Sequence, residues 1–291
     1  MLWLAARLFR PRMTVLSVDH GTRPAAMGEC AAVAALAAGL GLPHATLTLA
    51  QPLGPANIQA GARDARYAAM AGWCRGQGIG YLLTAHHADD QAETLLLRLA
   101  RGSGLAGLAG IRRAQMLHGV WVLRPLLDWR RAELADALAQ SGWPAADDPS
   151  NRDPRFDRTR ARDLLARESL LKPERLAAAA GFLAEAAEAL DWAADRAWAS
   201  RVSRVSRGEK GMADVSDILI DPEALPAEVQ RRLLLQGLAE LGYSAPRGPD
   251  VARLLARLAQ GGSGTLGGVR VRALGDRGWL LSAAPPRRTP G

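Results

Sequence analysis

Apolar and polar positions switch repeatedly between two periods along the first 127 residues, and the switches mark short strands alternating with longer helices. Residues 1–9 have helical character and stop at Pro11. The β-branched and aliphatic run at 13–18 predicts a strand. Residues 25–40 predict a helix closed by Gly41 and Pro43. Residues 44–49 alternate as a second strand, 51–61 read as a loop, and 62–75 form a helix carrying Arg63, Arg66 and Tyr67. After Gly78-Ile79-Gly80, the short apolar run at 81–85 predicts a buried strand. Ala92, Leu95, Leu96 and Leu99 then recur at i, i+3, i+4 and i+7, which makes one apolar helix stripe. A small-residue loop at 102–110 leads to a single further strand at 116–123. Strands alternating with helices predict an α/β fold built on a doubly wound parallel sheet.

The pattern changes after Pro125. Residues 129–141 are helical, and 143–151 are rich in turn residues. An Ala- and Leu-rich stretch at 176–199 predicts a long connecting helix, and 201–211 reads as an exposed basic linker. Beyond it, 227–241 is an amphipathic helix and 250–258 a second one. The runs at 269–272 and 279–282 flank Gly275 to Gly278, a hairpin signal. This divides the chain into an α/β domain at 1–165, a helical connector at 166–210 and a small α+β domain at 211–291.

Composition sharpens the picture only in part. At 291 residues, 48% hydrophobic and 23% charged, the chain is ordinary globular protein. Its net charge of +8 and pI of about 10.5, with arginine far outnumbering lysine, suit a polyanionic partner. Cys30 and Cys74 lie far apart with no Cys-x-x-Cys, so neither a zinc ribbon nor a redox pair is indicated. Two lone cysteines fit a reducing cytoplasm, and no apolar run reaches the ~18 residues of a membrane span.

Candidate chemistry collects where predicted strands end. His86, His87, Asp89, Asp90 and Glu93 crowd the first turns after the strand at 81–85. Asp90 and Glu93, three apart, are neighbours on the helix side opposite the apolar stripe. Carboxylates are favoured there by the helix dipole, and strand exits are where open α/β sheets bind ligands. Asp19 and His20 follow the strand at 13–18 in the same way. Arg152, Arg155, Arg158, Arg160 and Arg162, interleaved with Phe156, make a run able to grip a phosphate backbone. The glycines at 261–268 lack a following Lys-Ser/Thr and read as turn punctuation rather than a phosphate loop.

Ser17-Val18-Asp19-His20-Gly21-Thr22-Arg23, Ala62-Arg63-x-x-Arg66-Tyr67 and Thr84-Ala85-His86-His87-Ala88-Asp89-Asp90-Gln91-Ala92-Glu93-Thr94 resemble the tRNA(Ile)-lysidine synthases. So do Arg101-Gly102-Ser103-Gly104, Arg124-Pro125-Leu126-Leu127 and Asp148-Pro149-Ser150-Asn151. The resemblance implies an N-type ATP pyrophosphatase (PP-loop) fold in the first domain and a tRNA-recognition role for the last. It implies ATP and Mg²⁺, L-lysine and a tRNA(Ile) with a CAU anticodon as reactants and partners, in the cytoplasm, and it is compatible with a homodimer. The reaction implied is adenylylation of C2–O of the wobble cytidine, then attack by lysine's amine with loss of AMP.

By that resemblance Asp90 and Glu93 hold the lysine, with Asp90 as base, and Arg66 faces the lysine carboxylate or the base. Asp19, His20, His86 and Asp89 line the nucleotide pocket, and the five arginines at 152–162 carry the tRNA. The family's opening strand and Ser-Gly-Gly-x-Asp-Ser loop have no counterpart in these residues. The expectation is that both are encoded ahead of Met1, and that the strands at 13–18 and 81–85 do not pair with each other. A tRNA 2-thiolation enzyme and a non-catalytic tRNA-binding remnant are the alternatives, the first disfavoured by the missing Cys-x-x-Cys.

Overall fold

The computed structural model describes residues 1–9, 12–19, 24–49, 58–142, 157–206, 216–243 and 248–284. The chain divides into two compact units, residues 1–100 with 110–180, and residues 101–109 with 181–291.

In the first unit, α1 (Leu2–Phe9) is followed by β1 (Val15–Asp19), α2 (Pro24–Gly39) and β2 (His44–Thr48). β1 and β2 pair in parallel, from Val15↔His44 to Asp19↔Thr48. Leu2 and Ala6 of α1 pack with Ala37, Leu42, Met13 and Val15, sealing the N-terminal end of β1. Next come α3 (Ile58–Gly76), β3 (Tyr81–Leu83) and α4 (Ala88–Ala100). A single helical turn, α5 (Leu105–Leu108), belongs to the other unit. β4 (Ala114–Leu117) and β5 (Val120–Leu123) follow, with β3 parallel to β5 in the order β3-β5-β4.

The α/β character and parallel pairing stand as expected, and β1 and β3 do not pair with each other. They sit in separate sheets that share one core. Tyr67, Met70, Ala71 and Cys74 of α3 pack there against Leu16 and Val18 of β1 as well as Leu82, Val120 and Val122 of β3 and β5.

Three elements of this unit differ from the sequence expectation, and the first is α3, which begins at Ile58 inside the expected loop at 51–61. The run at 116–123 is a hairpin rather than one strand. His118 (φ 49) and Gly119 (φ 80) both lie at positive φ, as a two-residue type I′ turn requires. Arg75 donates to the His118 carbonyl and Asp64 Oδ1 lies 3.1 Å from His118 Nε2, so the turn is pinned to α3. The strand at 81–85 is shorter than expected and only partly buried: Leu82 is buried, but Tyr81 is 61% exposed. One further ladder bond, Thr84 N–H to Leu123 O at 2.9 Å, carries the extended backbone toward the site.

α6 (Arg131–Gln140) and α7 (Asp157–Arg167) complete the first unit, and α8 (Pro173–Arg201) runs from it into the second. In the second unit β6 (Val202–Ser206), β7 (Ser216–Ile220), α9 (Ala227–Glu240), α10 (Gly248–Ala259), β8 (Ser263–Leu266), β9 (Val269–Ala273) and β10 (Trp279–Ala283) form one antiparallel sheet with two helices. Its strand order is β6-β7-β10-β9-β8. Val251, Leu254 and Leu258 of α10 and Leu233, Leu234 and Leu238 of α9 bury Ile218, Ile220, Val269, Val271 and Leu281. The β9–β10 hairpin falls where the glycines mark it. At Gly278 (φ +89) an added Cβ would lie 2.1 Å from the Ile220 carbonyl, so only glycine lets the backbones approach this closely.

The basic stretch read as a linker at 201–211 opens instead as the edge strand β6, antiparallel to β7 from Val202↔Ile220 to Ser206↔Ser216. The strand is exposed from Ser203 to Ser206 as an edge, with Arg204 Nε on Glu240 Oε1 at 2.6 Å. Residues 207–211 of that stretch lie outside the described residues.

Candidate active site

The residues singled out at 86–93 lie at the exit of β3 and the start of α4. His87 is the residue before α4, and it makes a reciprocal cap with Asp90, the third residue of the helix. The His87 N–H donates to Asp90 Oδ2 at 3.0 Å, while the Asp90 N–H points at His87 Nδ1 at 3.4 Å. Two of the helix's orphan N-terminal donors are thereby addressed by local side chains. Asp89 faces another way. Its Oδ2 accepts the Arg131 N–H at 2.7 Å, capping α6 from outside, and its two oxygens receive Arg130 Nε and NH2 at 3.2 Å each. Burial pushes the Asp89 carboxyl up, but the Arg130 and Arg131 donors and the Arg130 charge outweigh that, leaving it below its ordinary value. The acidic block therefore first organises backbone: α4 caps itself and anchors α6.

The helix face differs from the apolar stripe expected. Ala92 and Leu95 are buried, but Leu99 is 51% exposed, whereas Gln91 and Glu93 are buried. α7 packs on α4 and covers Glu93, on the side expected to face water. Glu93 is 1% exposed and holds two guanidinium groups: Arg158 Nε on Oε2 at 2.8 Å and Arg162 Nε on Oε1 at 2.9 Å. Arg158 also reaches Asp90 Oδ1 through NH2 at 3.1 Å.

The arginine run was expected to face a phosphate backbone as a whole. Arg158 and Arg162 instead turn inward, because a buried carboxylate needs charged donors more than an exposed guanidinium needs a partner. Arg160 is 75% exposed, with Asp157 3.9 Å away. Arg152 and Arg155 lie outside the described residues.

His86 faces α3. Arg63 NH2 lies 3.1 Å from its Nε2, and Thr84 Oγ1 lies 3.0 Å from its Nδ1. Burial, and then the nearby Arg63 charge, lower the His86 pKa to about 4. The Arg63 guanidinium sits 5.3 Å from the Tyr67 ring centroid, and Arg66 is 6.0 Å from the same ring. Burial lowers the Arg63 pKa from its ordinary value. Arg66, expected to face substrate, is half-buried beside Tyr67. Asp19 ends β1, where its carbonyl accepts the Leu49 N–H at 3.1 Å. Asp19 lies near Cys30, whose thiol is raised by burial and by Asp19 and Glu29. His20 lies outside the described residues.

Three contributors carried little sequence signal. Gln91 pairs both ways with Ile111, Oε1 accepting its N–H at 2.6 Å and Nε2 donating to its carbonyl at 3.2 Å, which ties α4 to the loop before β4. Arg63 stood in a quoted motif without a role. Arg130, 41 residues from Asp89, was marked by nothing local.

A parallel α/β scaffold with charged groups at its strand exits is the architecture of a nucleotide-using domain. The family model described as "PP-loop domain" matches residues 1–169. A tRNA(Ile)-lysidine synthase of Novosphingobium aromaticivorans is 45% identical over 278 residues, covering 94% of this chain and 82% of that protein. Those of Zymomonas mobilis (38%, covering 94% and 81%) and Rhodopseudomonas palustris (39%, covering 99% and 88%) are similar over comparable lengths. The chain belongs to the tRNA(Ile)-lysidine synthase family of PP-loop proteins. A solved U34-tRNA thiolase from Methanococcus maripaludis is similar at TM-score 0.49 and 14% identity, over 59% of this chain and 61% of that one, too distant to bear on activity.

Proposed function

We propose that this chain ligates L-lysine to C2 of the wobble cytidine in a tRNA(Ile) with a CAU anticodon, using ATP. The observation that carries the reading is the 45% identity to a tRNA(Ile)-lysidine synthase across 94% of the chain. Chemically, the C2 oxygen attacks the α-phosphorus of ATP and diphosphate leaves. C2 then bears an adenylate, a far better leaving group than oxide. Lysine's neutral amine attacks C2, AMP departs, and the amine's surplus proton must be taken up.

Asp90 is the group we assign to hold lysine's ammonium and accept that proton. It is the less buried of the Asp90–Glu93 pair, at 18% against 2% side-chain exposure. His86, neutral at physiological pH, and Asp19 are assigned to the nucleotide, with His20 next to Asp19 in sequence. Asp89 serves that pocket indirectly, by fixing α6 against α4. Arg66 is assigned to the lysine carboxylate or the base, with Tyr67 beneath it. Among the described residues no three His, Cys, Asp or Glu side chains converge as a metal site. Mg²⁺ therefore enters this reading as MgATP, held chiefly by phosphate and water, and no step is routed through it.

The +8 net charge supports the polyanionic partner. Arg160, Arg152 and Arg155 are assigned to its phosphates, which position rather than specify. The exposed Arg270 and Arg272 on β9 extend that role to the second unit. With tRNA as substrate, the reaction is assigned to the cytoplasm. Among the described residues no helix is long and apolar enough to cross a membrane. A homodimer is compatible with the same reading.

The test is direct. Incubating the protein with ATP, labelled lysine and a tRNA(Ile) transcript carrying CAU should give AMP and label in the tRNA. Mass spectrometry of tRNA(Ile) from cells depleted of the protein should show unmodified cytidine. Fully modified tRNA in such cells would refute the assignment.

A further inference from the structure

A positively charged ligand arriving at the α4 carboxylates meets a cation already there. Arg158 lies across two of them, with Nε on Glu93 Oε2 at 2.8 Å and NH2 on Asp90 Oδ1 at 3.1 Å. The two acceptors are not equivalent. Glu93, its side chain 2% exposed, holds Arg162 on its other oxygen, so it has two cations for one charge and almost no access to solvent. Asp90, 18% exposed, has only Arg158 as a guanidinium partner among the bonds described, and Arg158 itself is 41% exposed. The bond to Asp90 is the outer and looser half of the bridge. Because Nε and NH2 serve separate acceptors, the guanidinium can give up Asp90 while staying on Glu93.

We propose that Arg158 is a specificity-determining residue, an internal cation that stands on Asp90 until the substrate's ammonium replaces it. Glu93 is the positioning residue that tethers the guanidinium so that it steps aside without leaving. The proposal rests on the lysine reading above and deepens it.

Selection by exchange follows from charge. An amino acid with a cationic side chain replaces one cation on Asp90 by another, and every carboxylate stays compensated. A neutral side chain of equal length has nothing to offer Asp90, so Arg158 remains and the position stays closed. The device weakens lysine too, because only the fraction of molecules with Asp90 released is competent to bind. The pair is partly exposed, so this competition is modest, about two- to fivefold in lysine affinity.

The test is calorimetric titration of the full chain with L-lysine and with norleucine, which keeps the backbone and chain length but lacks the amine. Arg158→Gln should bind lysine about two- to fivefold more tightly than wild type, since Arg162 still holds Glu93, and should accept norleucine more readily relative to lysine. Arg158→Lys serves if Arg158→Gln folds poorly. An ammonium lacks the fixed pair of N–H groups with which the guanidinium serves both acceptors, so its hold on Asp90 is expected to be weaker and lysine again binds more tightly. Arg167→Gln, at an exposed arginine in the last turn of α7, should change neither ligand. Unchanged or weaker lysine binding in both Arg158 variants, with wild type still preferring lysine to norleucine, overturns the place-holder and leaves the lysine reading intact. A wild-type protein that does not distinguish the two amino acids overturns the lysine reading and this proposal with it.

Discussion

The Arg63 guanidinium meets Nε2 of His86 at 3.1 Å. A guanidinium only donates, so Nε2 must carry the lone pair, and the ring proton belongs on Nδ1, where it faces Thr84 Oγ1 at 3.0 Å. His86 is thus fixed as one neutral tautomer, and protonating it would forfeit the Arg63 bond and add a second positive charge beside the first.

A pH dependence of stability follows, with a definite sign. Folded His86 resists protonation down to about pH 4, while the unfolded chain binds that proton near its ordinary 6.5. Between those values the unfolded state carries more protons, so stability should fall as pH drops through the window and be fully present above it. One proton contributes a slope of at most about 1.4 kcal/mol per pH unit. Denaturant unfolding from pH 7 to 4.5 should show this component in wild type and lose it in His86→Gln. Parallel curves for the two proteins would contradict the assignment.

Asp90 has a structural task and a proposed chemical one, and two substitutions separate them. Asp90→Asn retains an oxygen to cap the His87 N–H, so its melting temperature should stay near wild type while lysidine formation falls about 10²–10⁴-fold, the range for a lost general base. Asp90→Ala should lose the same activity and also about 1 kcal/mol of stability from the missing cap. Measuring rates and melting together decides the matter. A fully active Asp90→Asn would remove Asp90 from the proton transfer.

Glu93 should reveal its burial through its partners. Arg162→Ala leaves Arg158 on the carboxylate and is expected to cost little stability. Replacing both Arg158 and Arg162 by alanine strands a buried charge, and breaking such a pair costs about 3–5 kcal/mol. Adding Glu93→Gln to the double variant should recover part of that loss. Chemical denaturation of the series tests the ordering.

The arginine run should divide functionally as it does in space. Arg160→Ala, if its side chain meets one phosphate, should lower the slope of log affinity against log salt by about 0.9 for helical RNA treated as a duplex polyanion. Arg162→Ala, whose guanidinium faces Glu93, should leave that slope unchanged. Filter binding of tRNA across a salt series would show it, and identical slopes for both variants would deny Arg160 a phosphate contact.

What the sequence alone determined here is mostly local. The helices at 25–40 and 176–199 and the hairpin at Gly275 to Gly278 were legible because capping residues, apolar period and turn glycines all act within a few residues of chain. The family too was legible, since the His-His-x-Asp-Asp-x-x-Glu block at 86–93 is contiguous. Tertiary structure decided everything that depends on partners distant in sequence. Glu93 and Asp90 looked like a free acidic face until Arg158, 65 and 68 residues away, was brought onto them. Leu99 completes a helical stripe by spacing yet is exposed, whereas Glu93 is buried because α7 packs against α4. Val202 to Ser206 read as linker because an edge strand exists only once β7 offers its ladder. Pattern reports how a side chain would partition between water and core, but which charges meet in the core is set by the chain path, and that is where an acidic motif becomes an arginine-bridged site.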